Sequence, residues 1–464
     1  MGFFKDLIRK VKTMIRGYQG IEDAFGVQCI KSDKMDDSLL LWDNISTGKP
    51  PWKNAADDIK TINMADFIAN TRAKLTALDI GIAISGSARA DYLQGLADEL
   101  LKLLPDKLAD ADRMGGILFK FNGHNWDFLL PDEFGITHAD DNGTITGVVF
   151  AIQSRDTRYT RLEWHRFDDK TYIVTNKAFR NRVRQIDRQV VLGDPVPLSS
   201  VEDWQDMRDE VHIANLEAPL WGFYRVPGSN IIDSNSPLGM PVYGRAIEEL
   251  KAVDIAISRK DAEIEDSKHV TFVGQVALKS SEKNGVTLPR WVQGLGIGIN
   301  DGDTSAIHEH SATLLTESRI KDINFNLSLL GVKCGFSEGV FVLDGQSGMI
   351  TATQVEADDR DTVQTIKADR DALQAAIDQA LKGADALASL LNLAPMGSYE
   401  VAYSFGDITY NYEEDKANWK SYVQNGWMPA WLYFVKFEKM SEEEAKRFTQ
   451  AAEKTKARGL FEEE

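Results

Sequence analysis

Apolar residues recur along the chain first at helical and then at strand spacing. From about Asn63 to Leu78, and again from about Arg89 to Leu104, they fall three and four positions apart and predict two amphipathic helices. Alternation then takes over, and strands are expected over Gly116 to Phe121, Trp126 to Leu130, Ile145 to Gln153, Arg161 to Arg166 and Thr171 to Asn176. Asp141-Asn142-Gly143 supplies a hairpin turn before the third of these, and Asp168-Asp169-Lys170 one before the last. Residues 30–60 read instead as loop, with Trp42, Ile45, Gly48, Pro50, Pro51 and Trp52 spaced like an aromatic-anchored turn. Consecutive prolines bar a helix there. Strands gathered among helices give this half an α+β pattern.

The pattern changes at Ser236, a good N-cap followed by Pro237, a favoured first helical residue. Val242, Ala246, Leu250, Val253 and Ile257 then hold one face to about Asp266, a predicted helix of roughly 28 residues and about 42 Å. Residues 268–312 return to short strands and Gly-rich turns. A second helix is expected from about Ala312 to Leu330, then a Gly-rich, strand-like segment to Val355 with the composition of a mobile loop. A third helix, from about Ala357 to Asn392, would reach roughly 54 Å. The apolar stripes near 238 and 357 are long enough that they are expected to be covered by further copies of the chain. A strand at Tyr399 to Phe405, a short helix near Tyr422 and a tail helix from Ser441, opened by the capping box Ser441-Glu442-Glu443-Glu444, close the pattern. The module at 268–312, bracketed by helices, reads as an insertion carried on a stalk.

Met1 to Tyr18 is basic and amphipathic, and Lys and Arg interrupt it too often for a signal peptide's apolar core. It is expected to pack on its own domain or a neighbour, with a membrane-surface helix as the alternative. No stretch approaches the roughly 20 apolar residues of a membrane span.

Among 464 residues, 71 acidic side chains against 53 basic ones give a net charge of −18. Such a surface repels phosphate and disfavours a duplex-gripping domain. Charge alone fits an ordinary soluble acidic protein best, and it leaves room for a wall along which DNA slides without sticking. Cys29 and Cys334 are the two cysteines, far apart and without metal-ligand spacing, so neither a disulfide framework nor a zinc site is expected.

Three runs could carry chemistry. Gly294-Leu295-Gly296-Ile297-Gly298 has nucleotide-loop glycines, but the following Asn300-Asp301-Gly302-Asp303 is a turn, not a helix start. His308 and His310 could share a metal from an extended segment, with Asp303 folded back as a third ligand, although an exposed polar loop accounts for them more simply. Glu163 and His165 lie on a predicted strand among Arg158, Arg161 and Arg166, where a buried Glu–Arg pair at a sheet edge explains them as well as catalysis would. No GxSxG, HExxH or P-loop occurs.

The run Gly222-Phe223-Tyr224-Arg225-Val226-Pro227, then Asn230, Asp233 and Ser236-Pro237-Leu238-Gly239, resembles the portal proteins of tailed phages infecting Gram-positive bacteria. Trp42 to Trp52 is similar to that family's Trp…Gly-x-Pro-Pro-Trp region, and Thr160 to His165 with Tyr172 to Lys177 to its central strand pair. Cys334-Gly335-Phe336-Ser337, Phe341, Asp344 and Thr351-Ala352-Thr353-Gln354-Val355 resemble the segment before its long helix, with Gln354 in place of the usual Glu. Met440 to Ala445 is also typical. The pieces fall in one order between about 40 and 455.

The resemblance implies a portal fold: wing (1–237), stem helix (238–267), clip (268–312), second stem helix (313–331), tunnel loop (332–352), long wing helix (353–392), then C-terminal wing and small crown (393–464). It implies a homo-oligomeric ring of about twelve subunits at one capsid vertex of the virion, assembled in the host cytoplasm. The expected partners are the terminase large subunit, a head-completion adaptor, the major capsid and scaffolding proteins, and double-stranded DNA as passenger. No cofactor, metal, membrane or enzymatic activity is expected. The candidate channel residues are Glu317, Asp322, Glu338, Asp344, Gly345, Gln346, Ser347 and Gly348. Two other classes compete: another virion structural or connector protein, and an acidic α+β hydrolase, which would need a convergent polar pocket.

Overall fold

The computed structural model describes residues 19–30, 32–53, 59–168, 171–183, 190–266, 270–273, 280–281, 285–286, 307–310, 315–342, 360–406, 412–425, 427–438 and 440–459. The sequence readings of 1–18, 169–170, 294–298, 300–303 and 343–359 lie outside them. The fold is mixed α+β, and the chain divides into two compact units, Met1–Gly406 and Asp407–Glu464.

The first unit opens with helices α1 (Gln19–Phe25), α2 (Asp33–Ser46) and α3 (Met64–Thr76), strand β1 (Gly81–Ser85) and the 27-residue α4 (Ala88–Met114). The loop expected over 30–60 is corrected: α2 occupies its centre. Ser32 caps it by accepting from Met35 N, and Met35, Leu39, Trp42 and Ile45 are all buried from one face. The paired prolines follow the helix instead of preventing it. Helix α4 also runs ten residues beyond its expected end, passing through Pro105.

Nine strands follow: β2 (Gly116–Phe121), β3 (Trp126–Leu129), β4 (Phe134–Ala139), β5 (Ile145–Gln153), β6 (Tyr159–Asp168), β7 (Thr171–Val183), β8 (Val190–Val196), β9 (Glu210–Ala214) and β10 (Gly222–Arg225). They form two antiparallel sheets, β10-β2-β3 and β4-β5-β6-β7-β8. The long β7 pairs with β6 along one edge. On its other edge β9 pairs with Thr171–Thr175, and β8 with residues from Ala178 to Val183. The 140–144 turn is closed by Asp140 Oδ1, which accepts from Asn142 N at 2.9 Å and Thr144 N at 2.7 Å.

After β10 come α5 (Ile247–Asp266), short strands β11 (Val270–Val273), β12 (Ser280–Ser281), β13 (Gly285–Val286) and β14 (Ile307–His310), then α6 (Thr316–Lys333), α7 (Arg360–Leu390) and β15 (Glu400–Ser404), which pairs with β1. The helix expected from Ser236 begins only at Ile247. At 20 residues it spans about 30 Å. Residues 241–246 make tight turns instead, Gly244 N donating to Pro241 O and Ala246 N to Tyr243 O. Gly239 is pressed so closely on Gly115 that a Cβ on Gly239 would lie 2.1 Å from the Gly115 carbonyl oxygen.

The expectation that the stripes near 238 and 357 are covered by other copies is overturned. Ile366, Leu373, Ile377, Ala380, Leu381 and Ala384 of α7 are at most 2 % exposed, and Val242, Ala246, Leu250 and Val253 at most 6 %, all within this chain's own core. Each large apolar side chain buried this way contributes about 1.5–3 kcal/mol. Helix α7 lies directly on β10, where a Cβ at Gly222 would come within 2.0 Å of the Ala376 carbonyl oxygen.

The second unit holds α8 (Tyr412–Gln424), α9 (Ala430–Phe437) and α10 (Glu442–Gly459). Trp419 meets Phe437 edge-on at 5.8 Å between ring centroids, and Phe434 meets Phe448 at 5.0 Å. The capping box forms, with Glu444 N donating to Ser441 Oγ and Ser441 N to Glu444 Oε2, each at 3.3 Å.

Candidate functional site

Helices α5 and α6 run antiparallel and are fastened at both ends. Late in α5, Glu263 Oε2 accepts from Arg319 Nε at 2.8 Å, and its other oxygen accepts from Leu315 N at 2.7 Å. The hydrogen bond from Arg319, with that from the Leu315 N–H, holds the Glu263 carboxyl below the ordinary carboxylate range. At the opposite end Lys333 of α6 pairs with Glu249 of α5. Ion pairs this close to solvent add little stability even where the carboxylate is half-buried, so what these fix is register. Packing comes from Leu250, Val253 and Ala256 on α5 and Ile323, Leu327 and Leu330 on α6, all buried.

The chain leaves α5 and returns to α6 side by side, because β11 pairs with β14, Val270 opposite His310 and Val273 opposite Ile307. The His308-Glu309-His310 run thus lies on a paired strand, not in a loop. Among the described residues no cluster of three or more His, Cys, Asp or Glu could hold a metal ion, and no described helix is long and apolar enough to cross a membrane.

Helix α6 is apolar on two faces. Opposite its buried face, Phe325, Leu329 and Val332 are 67, 37 and 50 % exposed, and their spacing of four and three puts them on one stripe. Sequence reading missed this stripe; its signal was apolar residues occupying more of α6 than one core-facing side needs. Asp322 extends the same face. Glu317 is exposed in the first turn, five positions away and so about 140° around the helix. The structure therefore does not bring Glu317 and Asp322 onto one surface. Glu338 is exposed in the turns after α6. Asp344, Gly345, Gln346, Ser347 and Gly348 lie outside the described residues.

The base of the helix pair is anchored by charge buried in the core. Arg72 of α3 donates to both oxygens of Asp369 on α7, and from Nη1 to the Cys334 carbonyl at 3.2 Å. Burial alone would lower the Arg72 pKa, but Asp369 outweighs it and raises it. Asp112 of α4 and Tyr224 of β10 complete the cluster, and burial followed by the Asp369 charge pushes the Asp112 carboxyl well above its ordinary range. Burial likewise pushes the Cys334 thiol up to about 12, so it is not a reactive thiolate.

Glu163 and His165 are brought together, but in the interior of the sheet, since β6 lies between β5 and β7. The sheet-edge placement is corrected; the Arg161–Glu163 pair is present, at 2.7 Å. Lys120 from the neighbouring sheet pairs with the other Glu163 oxygen, which also accepts from His165 Nε2 at 2.6 Å. Burial opposes ionisation of Glu163, yet Lys120, with His165 and Arg161, holds its carboxyl well below the ordinary range. Burial lowers the His165 pKa, keeping the ring neutral. With Nε2 as donor, Nδ1 is left to accept from the Tyr172 hydroxyl at 2.9 Å, and that oxygen accepts from Leu220 N at 3.3 Å. Both Glu163 oxygens are occupied by partners within the chain, and Tyr172 is sealed from solvent.

Compared with family models and with curated proteins, the chain matches none.

Proposed function

We propose that this chain is the subunit of a portal-type ring, set at one vertex of a tailed-phage capsid, through which DNA enters during packaging and leaves during ejection. The observation that carries the reading is the antiparallel pair α5–α6, fastened at both ends and interrupted by a β module whose entering and leaving strands pair. In this reading the pair is the stem, the inserted module the clip, the two sheets with α7 the wing, and the stretch after α6 the tunnel loop. The segment from 393 supplies the remaining wing and a small crown.

The exposed stripe Phe325, Leu329 and Val332 is the surface that the lone chain leaves uncovered at the stem, and it takes the neighbouring subunit. Asp322 goes with that contact, which leaves Glu317 to the lumen. The terminase motor docks on the clip and supplies the ATP-driven force, an adaptor and the capsid and scaffolding proteins meet the outside, and the ring itself catalyses nothing. Its lumen must bind DNA weakly. Lysines repeated around about twelve subunits would release enough counterions to hold the duplex fast, whereas acidic side chains let it slide.

Negative-stain images of the purified protein test this. End-on rings with a central hole are expected; compact particles without one at all concentrations would refute it.

A further inference from the structure

A cavity of about 440 Å³ opens beside the Glu163 cluster. Its floor is Lys120, Arg161, Glu163 and His165, between 3 and 9 % exposed. Two cations face one carboxylate there, and His165 is neutral, so the floor carries an excess positive charge. Arg161 is incompletely served. Its Nη2 meets Glu163 and its Nη1 meets the thioether of Met207, a weak acceptor, while its buried Nε has no hydrogen-bond partner. The Lys120 ammonium, beyond its one carboxylate contact, lies over the Phe150 ring, 4.4 Å from the centroid. A buried cation in excess is costly until an anion reaches it. The walls are apolar, formed by Ile152, Val174, Ile213, Leu220 and Leu387. Asn122, His124 and Asn125 form an exposed rim, and Asp127, half-buried, is tied to Asn122 Nδ2 at 3.1 Å. Asp127 lets the site take one negative charge at its floor and disfavours a second nearer the mouth.

We infer that this cavity binds a small organic monocarboxylate with a compact apolar body, the carboxylate seated against Arg161 and Lys120 and the body against Ile152, Val174 and Leu220. Its size is in the range of small-molecule sites that pair apolar walls with a few convergent polar groups. The floor and walls named here are built from a single chain, so the inference does not rest on the ring.

Isothermal titration of the full-length protein with benzoate and hexanoate, and with benzamide and hexanamide as neutral isosteres, tests it. Saturable binding of the carboxylates is expected, with the amides weaker by about tenfold or more. Lys120→Met should weaken benzoate by a similar factor. Leu390→Trp, at a rim residue 46 % exposed, should block the cavity without touching the charged floor or the thermal midpoint. Because Lys120→Met removes a buried partner of Glu163, the Leu390→Trp comparison decides the matter if that variant fails to fold. Equal binding of acid and amide, benzoate binding unchanged by Leu390→Trp, or no binding of either acid at tens of millimolar would each overturn the assignment.

Discussion

Arg72 on α3 grips Asp369 on α7 through two hydrogen bonds of 2.7 Å, from Nε and Nη2, with both side chains buried. The pair locks the long helix to the body of the chain, and the third Arg72 bond, to Cys334, locks the end of α6 to both. Asp369→Ala strands a buried guanidinium and should cost about 3–5 kcal/mol in equilibrium denaturation. Replacing both partners together, as Arg72→Met with Asp369→Leu, should recover most of that loss.

Asp112 makes stability depend on pH. Its folded-state carboxyl keeps a proton that the unfolded chain releases above about pH 4. The folded state therefore binds more protons, and stability falls as pH rises from there through the folded pKa of Asp112, then levels off. Asp112→Asn has no proton to lose. Its thermal midpoint should match the wild type near pH 4 and exceed it by about 2–4 °C at pH 8; an equal difference at both pH values would show that Asp112 is already charged in the folded chain.

In the proposed ring, the stripe on α6 separates assembly from folding. Phe325→Glu with Leu329→Glu alters side chains already 67 and 37 % exposed, so the far-UV spectrum and denaturation midpoint should be retained, within about 0.5 kcal/mol per site. Light scattering should report loss of the large particle. A ring that persists in the double variant would move the contact elsewhere.

Gly345 and Gly348 belong to the proposed tunnel loop. Gly345→Pro with Gly348→Pro should impair DNA packaging in a reconstituted motor while leaving the particle's mass unchanged. Normal packaging would remove that loop from the mechanism.

Periodicity made the helices α4, α6 and α7 legible, because each buries one regular face. The strands β2, β5 and β6 are buried on both faces and were legible from their β-branched and aromatic residues. Periodicity failed where a distant contact decided the backbone. Val242 through Ile257 keep helical spacing, yet Gly239 is pinned against Gly115 and the chain turns at Pro241 and Gly244, so the helix starts late. Helix α2 was hidden by the prolines after it, although the Ser32 cap and the spacing of Met35, Leu39, Trp42 and Ile45 were readable. Arg161 and Glu163, two apart on one strand, point the same way and could be paired from sequence; Lys120, on another sheet, could not. Nor could amphipathicity alone say which stripes meet the chain's own core: those of α5 and α7 do, and the exposed one is on α6.

Native mass measurement of the purified 51.8 kDa chain bears most directly on the ring. The account predicts a single closed assembly near 0.6 MDa, about twelve copies. A particle that stays at the mass of one chain, with Phe325, Leu329 and Val332 still open to solvent at high protein concentration, would contradict it.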